Sequence, residues 1–283
     1  MSASRRQQGW VLAAPALLAT AVLFLVPMVL VLLTSLYRRE GKVTVTEFSL
    51  ANYERIWSDA TIHAALLNSL EVVAITVVIS LLIAFPFAYV IATVVPARWQ
   101  GVVLLLAVLP FWTSYVVRSY SWLLVLAKNG VVNQTLLATG LLTDPLQLAN
   151  TRLATVIAFV HFFVMVCALT IYASLRQIPP NLPLAARDLG ASGWTTFWRV
   201  ILPLSLPGVI VGAFLTFVLA IGDFITPQIV GGGTEILLPQ LIMLQVSRLG
   251  DLPLAAALSL LLLVIVAAVY ALAARHLTLG VRR

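Results

Sequence analysis

Residues that could bind a nucleotide are scarce in this chain, in which only 10% of the residues are charged. A phosphate-binding loop needs the pattern Gly-x-x-x-x-Gly-Lys-Ser/Thr, so that backbone N–H groups and a lysine surround the phosphates. The chain has two lysines and neither fits, because Val43 follows Lys42 and Asn129 follows Lys128. We therefore expect no ATP bound through such a loop, and no cofactor in this chain.

Ionisable groups that could couple transport to protons or sodium are also missing from the middle of the apolar segments. Carriers of that kind place carboxylates well inside the membrane, whereas Glu71 and Asp223 lie at the ends of apolar segments. His161 is the one ionisable residue that we place near mid-segment. We interpret it as a buried, hydrogen-bonded structural histidine, with a proton relay as the alternative. The single cysteine, Cys167, excludes a disulfide and a cysteine metal site, and we expect a small buried side chain there.

Long apolar runs indicate an all-α integral membrane protein, because 61% of the residues are hydrophobic and one span needs roughly 20 apolar residues. The first run is too long for a cleaved signal peptide. We predict six transmembrane helices, which places both termini on the same side of the membrane. The predicted spans are Val11–Leu36, Val72–Val95, a third that starts at Trp99 and continues past Arg118, Leu153–Leu175, Leu204–Gly222 and Leu254–Ala274.

The distribution of Lys and Arg predicts which side is cytoplasmic. The two termini and the loops 96–100 and 176–203 carry nine of the 17 Lys and Arg residues and one of the 10 acids. The other segments carry eight cations (17 − 9) and nine acids (10 − 1). Because the basic set has the short connections, we place both termini and the 176–203 loop in the cytoplasm, in a multi-pass protein of the plasma (inner) membrane. The net charge of +7 is then a topology signal and does not indicate nucleic-acid binding.

The loops on the other side are longer. Residues Arg38–Ile62 mix both signs of charge and predict a strand-like or irregular excursion. The loop Lys128–Asn150 contains a weakly amphipathic run that suits the membrane surface. After Asp223 the sequence TEILLPQLIMLQV is apolar but short, so we predict a re-entrant or surface helix there and not a seventh span.

The loop Asn181–Gly208 is the longest polar and turn-rich stretch on the cytoplasmic side. It predicts a short helix from Leu184 to Leu189, a stop at Gly190, and an amphipathic run that ends where Pro203 and Pro207 mark the return to apolar sequence. A short helix closed by a glycine suits docking into a groove of a soluble protein. An ordinary interfacial loop is the alternative.

The stretch LAARDLGA, Leu184 to Ala191, followed by Val200-Ile201-Leu202-Pro203, resembles the Glu-Ala-Ala loop of ABC-importer permease subunits. The resemblance implies a type I ABC importer permease fold, in which this loop forms a cytoplasmic coupling helix that sits in a cleft of an ATP-hydrolysing subunit. The leading Glu of the motif is Leu184 here, which puts the polar contact of that Glu in doubt. The residues assigned to ATPase coupling are Leu184, Ala185, Ala186, Arg187, Asp188, Gly190 and Ala191.

Two further stretches, Leu109–Asn133 and Ile221–Gly233, resemble the spermidine/putrescine type of permease subunit. Permeases for opines, aminoethylphosphonate and other small solutes share these features, so such a solute or an amino-acid-like one is the alternative to a polyamine. The resemblance implies a permease domain over 63–275. Residues 1–62 then form the N-terminal tail, first span and first outer loop, and 276–283 form a cytoplasmic tail.

Residues with the chemistry to hold a flexible cation cluster around the third span and the end of the fifth. Carboxylates and aromatic faces bind such cations, with about 0.5–2 kcal/mol for each cation–π contact. We assign the solute path to Trp112, Tyr115, Arg118 and Asp223. Arg118 would repel a cation unless an acid neutralises it, and Asp223 or Glu71 is the expected partner. An interfacial belt of aromatic residues is the alternative reading of the same residues.

The loop after Asp223 resembles the part of the family's permeases that reaches toward an extracytoplasmic solute-binding protein. We assign that contact to Gly232, Thr234 and Glu235, with the glycines Gly231–Gly233 supplying flexibility. A plain flexible connector is the alternative.

The resemblance implies a non-enzymatic transport subunit with several partners. These are a second permease subunit that is a distinct paralogue, a dimer of ATP-binding subunits that carries the ATP and Mg, the solute-binding protein and membrane lipid, with no nucleic acid. An ion-coupled secondary transporter or channel is the first rival, and it would need internal carboxylates or inverted repeats. A membrane scaffold that transports nothing is the second.

Overall fold

The computed structural model describes residues 2–41, 43–233 and 235–281, which form helices and one short hairpin. The elements before the fourth span are α1 (Ser2–Ser35), β1 (Arg38–Glu40), β2 (Val43–Val45), α2 (Ala51–Ser58), α3 (Ala60–Thr93), α4 (Ala97–Val108), a 3₁₀ turn (Leu109–Trp112), α5 (Tyr115–Leu126) and α6 (Val131–Ala138). The elements that follow are α7 (Arg152–Leu175), α8 (Asn181–Asp188), α9 (Gly193–Thr196), a π turn (Phe197–Ile201), α10 (Leu202–Ile221), α11 (Ile225–Val230), α12 (Leu238–Leu244), a second π turn (Gln245–Leu249) and α13 (Leu252–Val281).

Within the described residues, five helical stretches are long and apolar enough to cross a membrane: Ala13–Ser35, Ala60–Thr93, Arg152–Leu175, Gly193–Ile221 and Leu252–Arg275. A sixth candidate is a broken pair, Ala97–Trp112 and Tyr115–Ala138, bent by 88°. Counting the pair as one broken span gives the six spans that the sequence predicts. The break follows Pro110, whose missing N–H and ring disfavour a continuous helix, and the Thr113 hydroxyl donates a hydrogen bond to the Pro110 carbonyl (2.7 Å).

Two predicted spans begin earlier in the structure than in the sequence analysis. Helix α3 starts at Ala60 and not at Val72, because polar residues lower the hydropathy of this stretch without breaking the helix. The Thr61 amide donates to Asp59 (2.8 Å) and caps that start, and this hydrogen bond holds the pKa of Asp59 below its ordinary value. The fifth span starts at Gly193 and not at Leu204, because the π turn carries the helix across Pro203.

The chain divides into two compact units. The first combines the chain up to His63 with Ile242–Val264. The strand-like alternative predicted for Arg38–Ile62 is confirmed, because β1 and β2 pair as an antiparallel hairpin, and α2 follows. Asn52 donates hydrogen bonds to the carbonyls of Ser35 and Tyr37 (2.8 Å each) and fixes α2 to the end of α1.

The second unit combines Ala64–Leu241 with the chain from Ile265 onward. Its closest helix pair is α7 with α10, the fourth and fifth spans. Gly208 and Gly212 face α7, and a Cβ added to Gly212 would lie 2.5 Å from the Thr170 hydroxyl oxygen and 3.2 Å from the Cα of Cys167. Cys167 is fully buried and its Sγ lies 3.1 Å from the Thr216 hydroxyl oxygen, which confirms the expected small buried side chain.

The short elements outside the spans also agree in part with the sequence. Helix α6 forms within the run predicted at the membrane surface, and α12 with its π turn forms where a short re-entrant or surface helix was predicted. Neither is long enough for a span. The predicted domain limits 1–62, 63–275 and 276–283 stay a prediction.

Candidate functional sites

Helix α8 contains most of the residues assigned to ATPase coupling. It begins at Asn181, three residues before the predicted start, because Pro183 lies in the first turn, where a missing N–H costs no helical hydrogen bond. No residue of α8 is buried in the described part of the chain. Leu184 is 57% exposed and Leu189 is 89% exposed. This chain therefore leaves the apolar side chains of α8 uncovered.

The C-terminus of α8 is closed by a Schellman motif, the double hydrogen bond that ends many helices at a glycine. The Gly190 amide donates to the Arg187 carbonyl (2.9 Å), and the Ala191 amide donates to the Ala186 carbonyl (3.0 Å). Gly190 has φ +83°, a left-handed conformation that favours glycine. The predicted stop at Gly190 is confirmed, and the open space around its Cα leaves the end of the helix accessible.

The segment after α8 is anchored to the spans by aromatic contacts. Ser192 caps α9 by accepting a hydrogen bond from the Thr195 amide (3.2 Å). Phe197 packs edge-on against Phe85 and Tyr89 of α3, with ring centroids 5.6 and 5.9 Å apart. The segment after α8 is therefore joined to the second and fifth spans by packed side chains.

Tyr115 and Asp223, two of the four residues assigned to the solute path, are in direct contact. The Tyr115 hydroxyl donates to the Asp223 carboxylate and also contacts the Thr226 hydroxyl. The amides of Ile225 (2.8 Å) and Thr226 (3.3 Å) donate to the other carboxylate oxygen. Burial raises the pKa of Asp223 above its ordinary value, while the hydrogen bonds from Thr226 and from the Ile225 amide act in the opposite direction. The result is a half-buried carboxylate held in one position at the end of the fifth span.

Arg118 lies beside this pair, on three aromatic rings. Its guanidinium carbon is 4.6 Å from the ring centroid of Phe162, 5.3 Å from that of Phe111 and 5.7 Å from that of Tyr115. The expectation that Asp223 or Glu71 pairs with Arg118 is wrong for the described residues, in which Arg118 forms no ion pair and Glu71 pairs with Arg152. Trp112 is 78% exposed and forms no aromatic contact with these residues.

His161 differs from the sequence interpretation in one respect. It accepts a hydrogen bond from the Trp122 indole (Nε1 to Nδ1, 3.2 Å), as a structural histidine would, but its side chain is exposed on the surface of this chain. It is also not the sole ionisable residue at mid-span, because Arg118 contacts Phe162, the next residue of α7. In the described part of the chain, no group of three or more His, Cys, Asp or Glu residues could hold a metal ion.

The loop after α11 packs closely at Gly231 and Gly232, while Gly233 has open space around its Cβ position, and the flexibility expected of Gly231–Gly233 stays a prediction. Gly232 has φ +69°, and an added Cβ would collide with Asn150, whose amide donates to the Val230 carbonyl (2.9 Å). Glu235 is ion-paired with Arg152 (2.5 Å) at the start of α7. Thr234, the third residue assigned to binding-protein contact, lies outside the described residues. Gly231 and Gly232 thus allow the loop to approach Pro227 and Asn150 closely.

Residues 9–282 match the model of the family described as "Binding-protein-dependent transport system inner membrane component". The chain belongs to this family. The permease is 33% identical over 246 residues to the spermidine/putrescine transport system permease protein PotB of Escherichia coli, a match that covers 86% of this chain and 89% of the relative. It is 34% identical over 220 residues to PotB of Haemophilus influenzae (77% and 76% covered). It is also 34% identical over 232 residues to the inner membrane ABC transporter permease protein YdcU of E. coli (78% and 74% covered).

Solved structures support the same fold. The permease superposes on a chain of a bacterial ABC transporter involved in the import of the acidic polysaccharide alginate, with a TM-score of 0.74, 17% identity, and coverage of 96% of this chain and 98% of that chain. A second alginate transporter structure, in complex with an alginate pentasaccharide-bound periplasmic protein, gives a TM-score of 0.73 at 16% identity and covers 95% and 93%. These similarities confirm the predicted ABC-importer permease fold.

Family membership makes the permease a multi-pass inner-membrane transport subunit that works with a binding protein, and not an enzyme. Family membership therefore argues against the two rival function classes, the ion-coupled carrier and the membrane scaffold.

Two side chains that contact the predicted site residues, those of Arg152 and Phe162, were not predicted from the sequence. Arg152 binds Glu71 (2.8 Å), Glu235 and the Asn68 side chain (2.7 Å), and Phe162 supplies the ring nearest to Arg118. The predicted topology gave a signal for Arg152, because it places Arg152 on the same side of the membrane as Glu71 and Glu235. A phenylalanine in an apolar run of α7 gives no comparable signal.

Proposed function

We propose that the permease forms part of the membrane path of an ATP-driven importer for a polyamine such as putrescine or spermidine. The observation that carries this proposal is the half-buried Asp223 carboxylate held by Tyr115 beside a group of aromatic rings. A fixed carboxylate attracts an ammonium group, and aromatic faces stabilise it further. The names of the PotB relatives support the same solute class.

The solute path assigned to Trp112, Tyr115, Arg118 and Asp223 has two parts in this proposal. Tyr115 and Asp223 contact the solute, since they form one hydrogen-bonded pair. Arg118 borders the site on the rings of Phe162, Phe111 and Tyr115, and its charge has to be neutralised before a cation can approach. Trp112 projects from the broken third span, where its exposed ring is available to a partner subunit or to lipid.

Helix α8 is the docking element for an ATP-hydrolysing partner. Two ATPase copies carry the ATP and Mg, one for this permease and one for a second permease subunit, a distinct paralogue. The exposed Leu184 and Leu189 supply apolar contact area for the ATPase cleft. Because Leu184 replaces the Glu of the motif, that contact is apolar here. As the ATPase dimer closes and opens, α8 moves with it, and Phe197 passes the movement to α3 and α10.

The orientation follows from the charge distribution, with α8 and both termini in the cytoplasm. The outer face then carries Gly232, Thr234 and Glu235, and the extracytoplasmic binding protein contacts this face when it delivers solute. The packing of Gly232 and the ion pair of Glu235 present that protein with a preformed surface.

Uptake by the complete transporter tests the solute and Asp223 together. The permease is reconstituted with its second permease, ATPase and binding protein, and uptake of labelled putrescine and spermidine is measured against opines, aminoethylphosphonate and amino acids as competitors. Asp223→Asn keeps the shape of the side chain and removes its charge, and we expect uptake at low solute concentration to fall about tenfold, the equivalent of about 1.4 kcal/mol. Asp223→Glu restores the charge and should recover part of the loss.

Two results would contradict the proposal in different ways. A wild-type transporter that ignores polyamines and imports one of the competitors would refute the solute class. Unchanged polyamine uptake by Asp223→Asn would remove Asp223 from the path and leave the solute class intact.

A further inference from the structure

A cleft of about 300 Å³ opens at the break in the third span. The 3₁₀ turn and α5 form one wall, and His161 of α7 forms the other. The residues that line the cleft are Pro110, Thr113, Val117, Arg118, Ser121, Trp122, Val125 and His161. Arg118 and His161 are the two ionisable side chains of this lining, so they determine which charged group the cleft accepts.

Arg118 brings an unpaired positive charge to this cleft. Its Nη1 atom is buried and has no hydrogen-bond partner in the described part of the chain. The three aromatic rings beneath the guanidinium are electron-rich faces and cannot accept its in-plane N–H bonds. Buried charges in proteins are paired because leaving one unpaired is costly. The described residues therefore provide no acceptor for this edge of the guanidinium.

His161 adds a second donor on the opposite wall. Because its Nδ1 accepts the Trp122 hydrogen bond (3.2 Å), the proton of the neutral ring is on Nε2. Within residues 2–41, 43–233 and 235–281, that Nε2 has no hydrogen-bond partner. The guanidinium of Arg118 and the Nε2–H of His161 are thus two donors at one cleft. Both can donate to an oxygen acceptor, and the charge of Arg118 favours a negatively charged one.

The depth of the cleft excludes a lipid phosphate. His161 lies nine residues from Arg152 and 14 residues from Leu175, the ends of α7, which is about 14 Å and 21 Å of helix. A headgroup phosphate stays at the surface of a hydrocarbon core about 30 Å thick. The nearby acids of this chain are already engaged, Asp223 with Tyr115 and Glu71 with Arg152.

We propose that this cleft receives an Asp or Glu carboxylate from a transmembrane helix of the second permease subunit, which pairs with Arg118 and His161. The proposal rests on the proposed function, in which two permease subunits enclose the path. A protein carboxylate neutralises Arg118 at every stage of transport, whereas a carboxylate on a solute would leave it unpaired between cycles. The α5 face beside the cleft is bare and apolar, with Val117 60% and Leu124 71% exposed, as a helix–helix contact requires.

A cross-linking experiment on the complete transporter tests this pairing. Arg118→Lys keeps the positive charge and introduces an amine, which a membrane-permeant carbodiimide joins to a neighbouring carboxylate as an amide. We expect an adduct with the combined mass of the two permease subunits, and peptide mapping should place it on one Asp or Glu of the second permease. Arg118→Gln, which has no comparable amine, is the matched control and should give no such adduct.

Co-purification gives an independent measurement. Arg118→Gln leaves the partner's carboxylate unpaired, so recovery of the second permease with the tagged chain should fall about tenfold, which corresponds to about 1.4 kcal/mol. Replacing the mapped acid by its amide in the same complex should restore recovery, because neither side then carries an unpaired charge. This rescue distinguishes pairing from misfolding of Arg118→Gln.

The outcomes separate this inference from the proposed solute. Three outcomes would overturn the Arg118 pairing alone. These are an adduct confined to this chain, for example with Asp223, an adduct with another subunit, and no adduct in a transporter that imports polyamines. An adduct with the second permease in a transporter that does not import polyamines would uphold the pairing and refute only the solute.

Discussion

The Tyr115 hydroxyl donates a hydrogen bond to the Asp223 carboxylate across 108 residues of sequence. Tyr115 begins α5 just after the break in the third span, and Asp223 follows the fifth span. The ring of Tyr115 also lies under Arg118, 5.7 Å from its guanidinium carbon. One tyrosine therefore separates an acid from a base at the centre of the candidate path and fixes the position of the acid.

Tyr115→Phe should weaken solute capture without preventing assembly. The substitution keeps the ring under Arg118 and removes one of the hydrogen bonds that hold Asp223. Hydrogen bonds to charged groups contribute about 1.5–3 kcal/mol, so we expect KM for polyamine uptake to rise about tenfold. The measurement is uptake against solute concentration in reconstituted vesicles.

Tyr120→Phe is the matched control, because Tyr120 lies on the same helix, is 53% exposed and has no hydrogen bond through its hydroxyl in the described residues. Equal KM values for Tyr115→Phe and the wild type would argue against a role for this hydrogen bond in binding.

Gly190→Asp should uncouple the permease from its ATPase. The space around Gly190 is open, so the new carboxylate would project onto the proposed docking face. Uptake and ATPase association should be lost while membrane insertion is retained. Gly190→Asn is the control, because Asn and Asp have the same shape and both tolerate the left-handed conformation.

If the Asp variant transports normally, α8 is not the docking element. If Asn and Asp fail equally, the cause is the backbone at φ +83° and not the added charge.

Gly212→Ala should destabilise the contact between the fourth and fifth spans. The added Cβ would meet Thr170 and Cys167, and overpacking of this kind costs about 1–3 kcal/mol. The thermal unfolding temperature in detergent should fall. Gly101→Ala is the control, because that helical glycine has nothing within 4 Å of its Cβ position, and alanine there is favoured by about 1 kcal/mol. A Gly212→Ala protein as stable as Gly101→Ala would show that the two helices can separate without loss.

Arg152→Gln should loosen the loop that follows α11. The change removes the ion pairs with Glu71 and Glu235, in which all three side chains are partly exposed, with relative side-chain exposures of 26%, 57% and 46%. Each such pair contributes at most about 1 kcal/mol, so global stability should change little. Faster amide hydrogen exchange over residues 231–237 is the expected signal.

Arg98→Gln, an exposed arginine on the predicted cytoplasmic side, controls for the loss of one charge. If amide hydrogen exchange over residues 231–237 stays at the wild-type rate in Arg152→Gln, then backbone packing against Asn150 alone orders the loop.

The features that could be predicted from the amino-acid sequence are those that depend on residues close together in the chain. Apolar length gave the six spans, Gly190 gave the end of α8, and the short apolar stretch after Asp223 excluded a seventh span. Each follows from local hydropathy or backbone preference, which needs no knowledge of the other helices. The same reasoning misplaced the starts of the second and fifth spans, because hydropathy marks the membrane core and not the ends of a helix.

The pairing of charged side chains could not be predicted before the tertiary structure was known. Sequence reasoning paired Arg118 with Asp223 or Glu71, but Asp223 binds Tyr115, Glu71 binds Arg152, and Arg118 faces a cleft. The close approach of Gly232 to Asn150 could not be predicted from the sequence either. These contacts depend on how each helix is rotated and tilted against its neighbours. Packing between helices sets that rotation, and the sequence of one segment does not encode it.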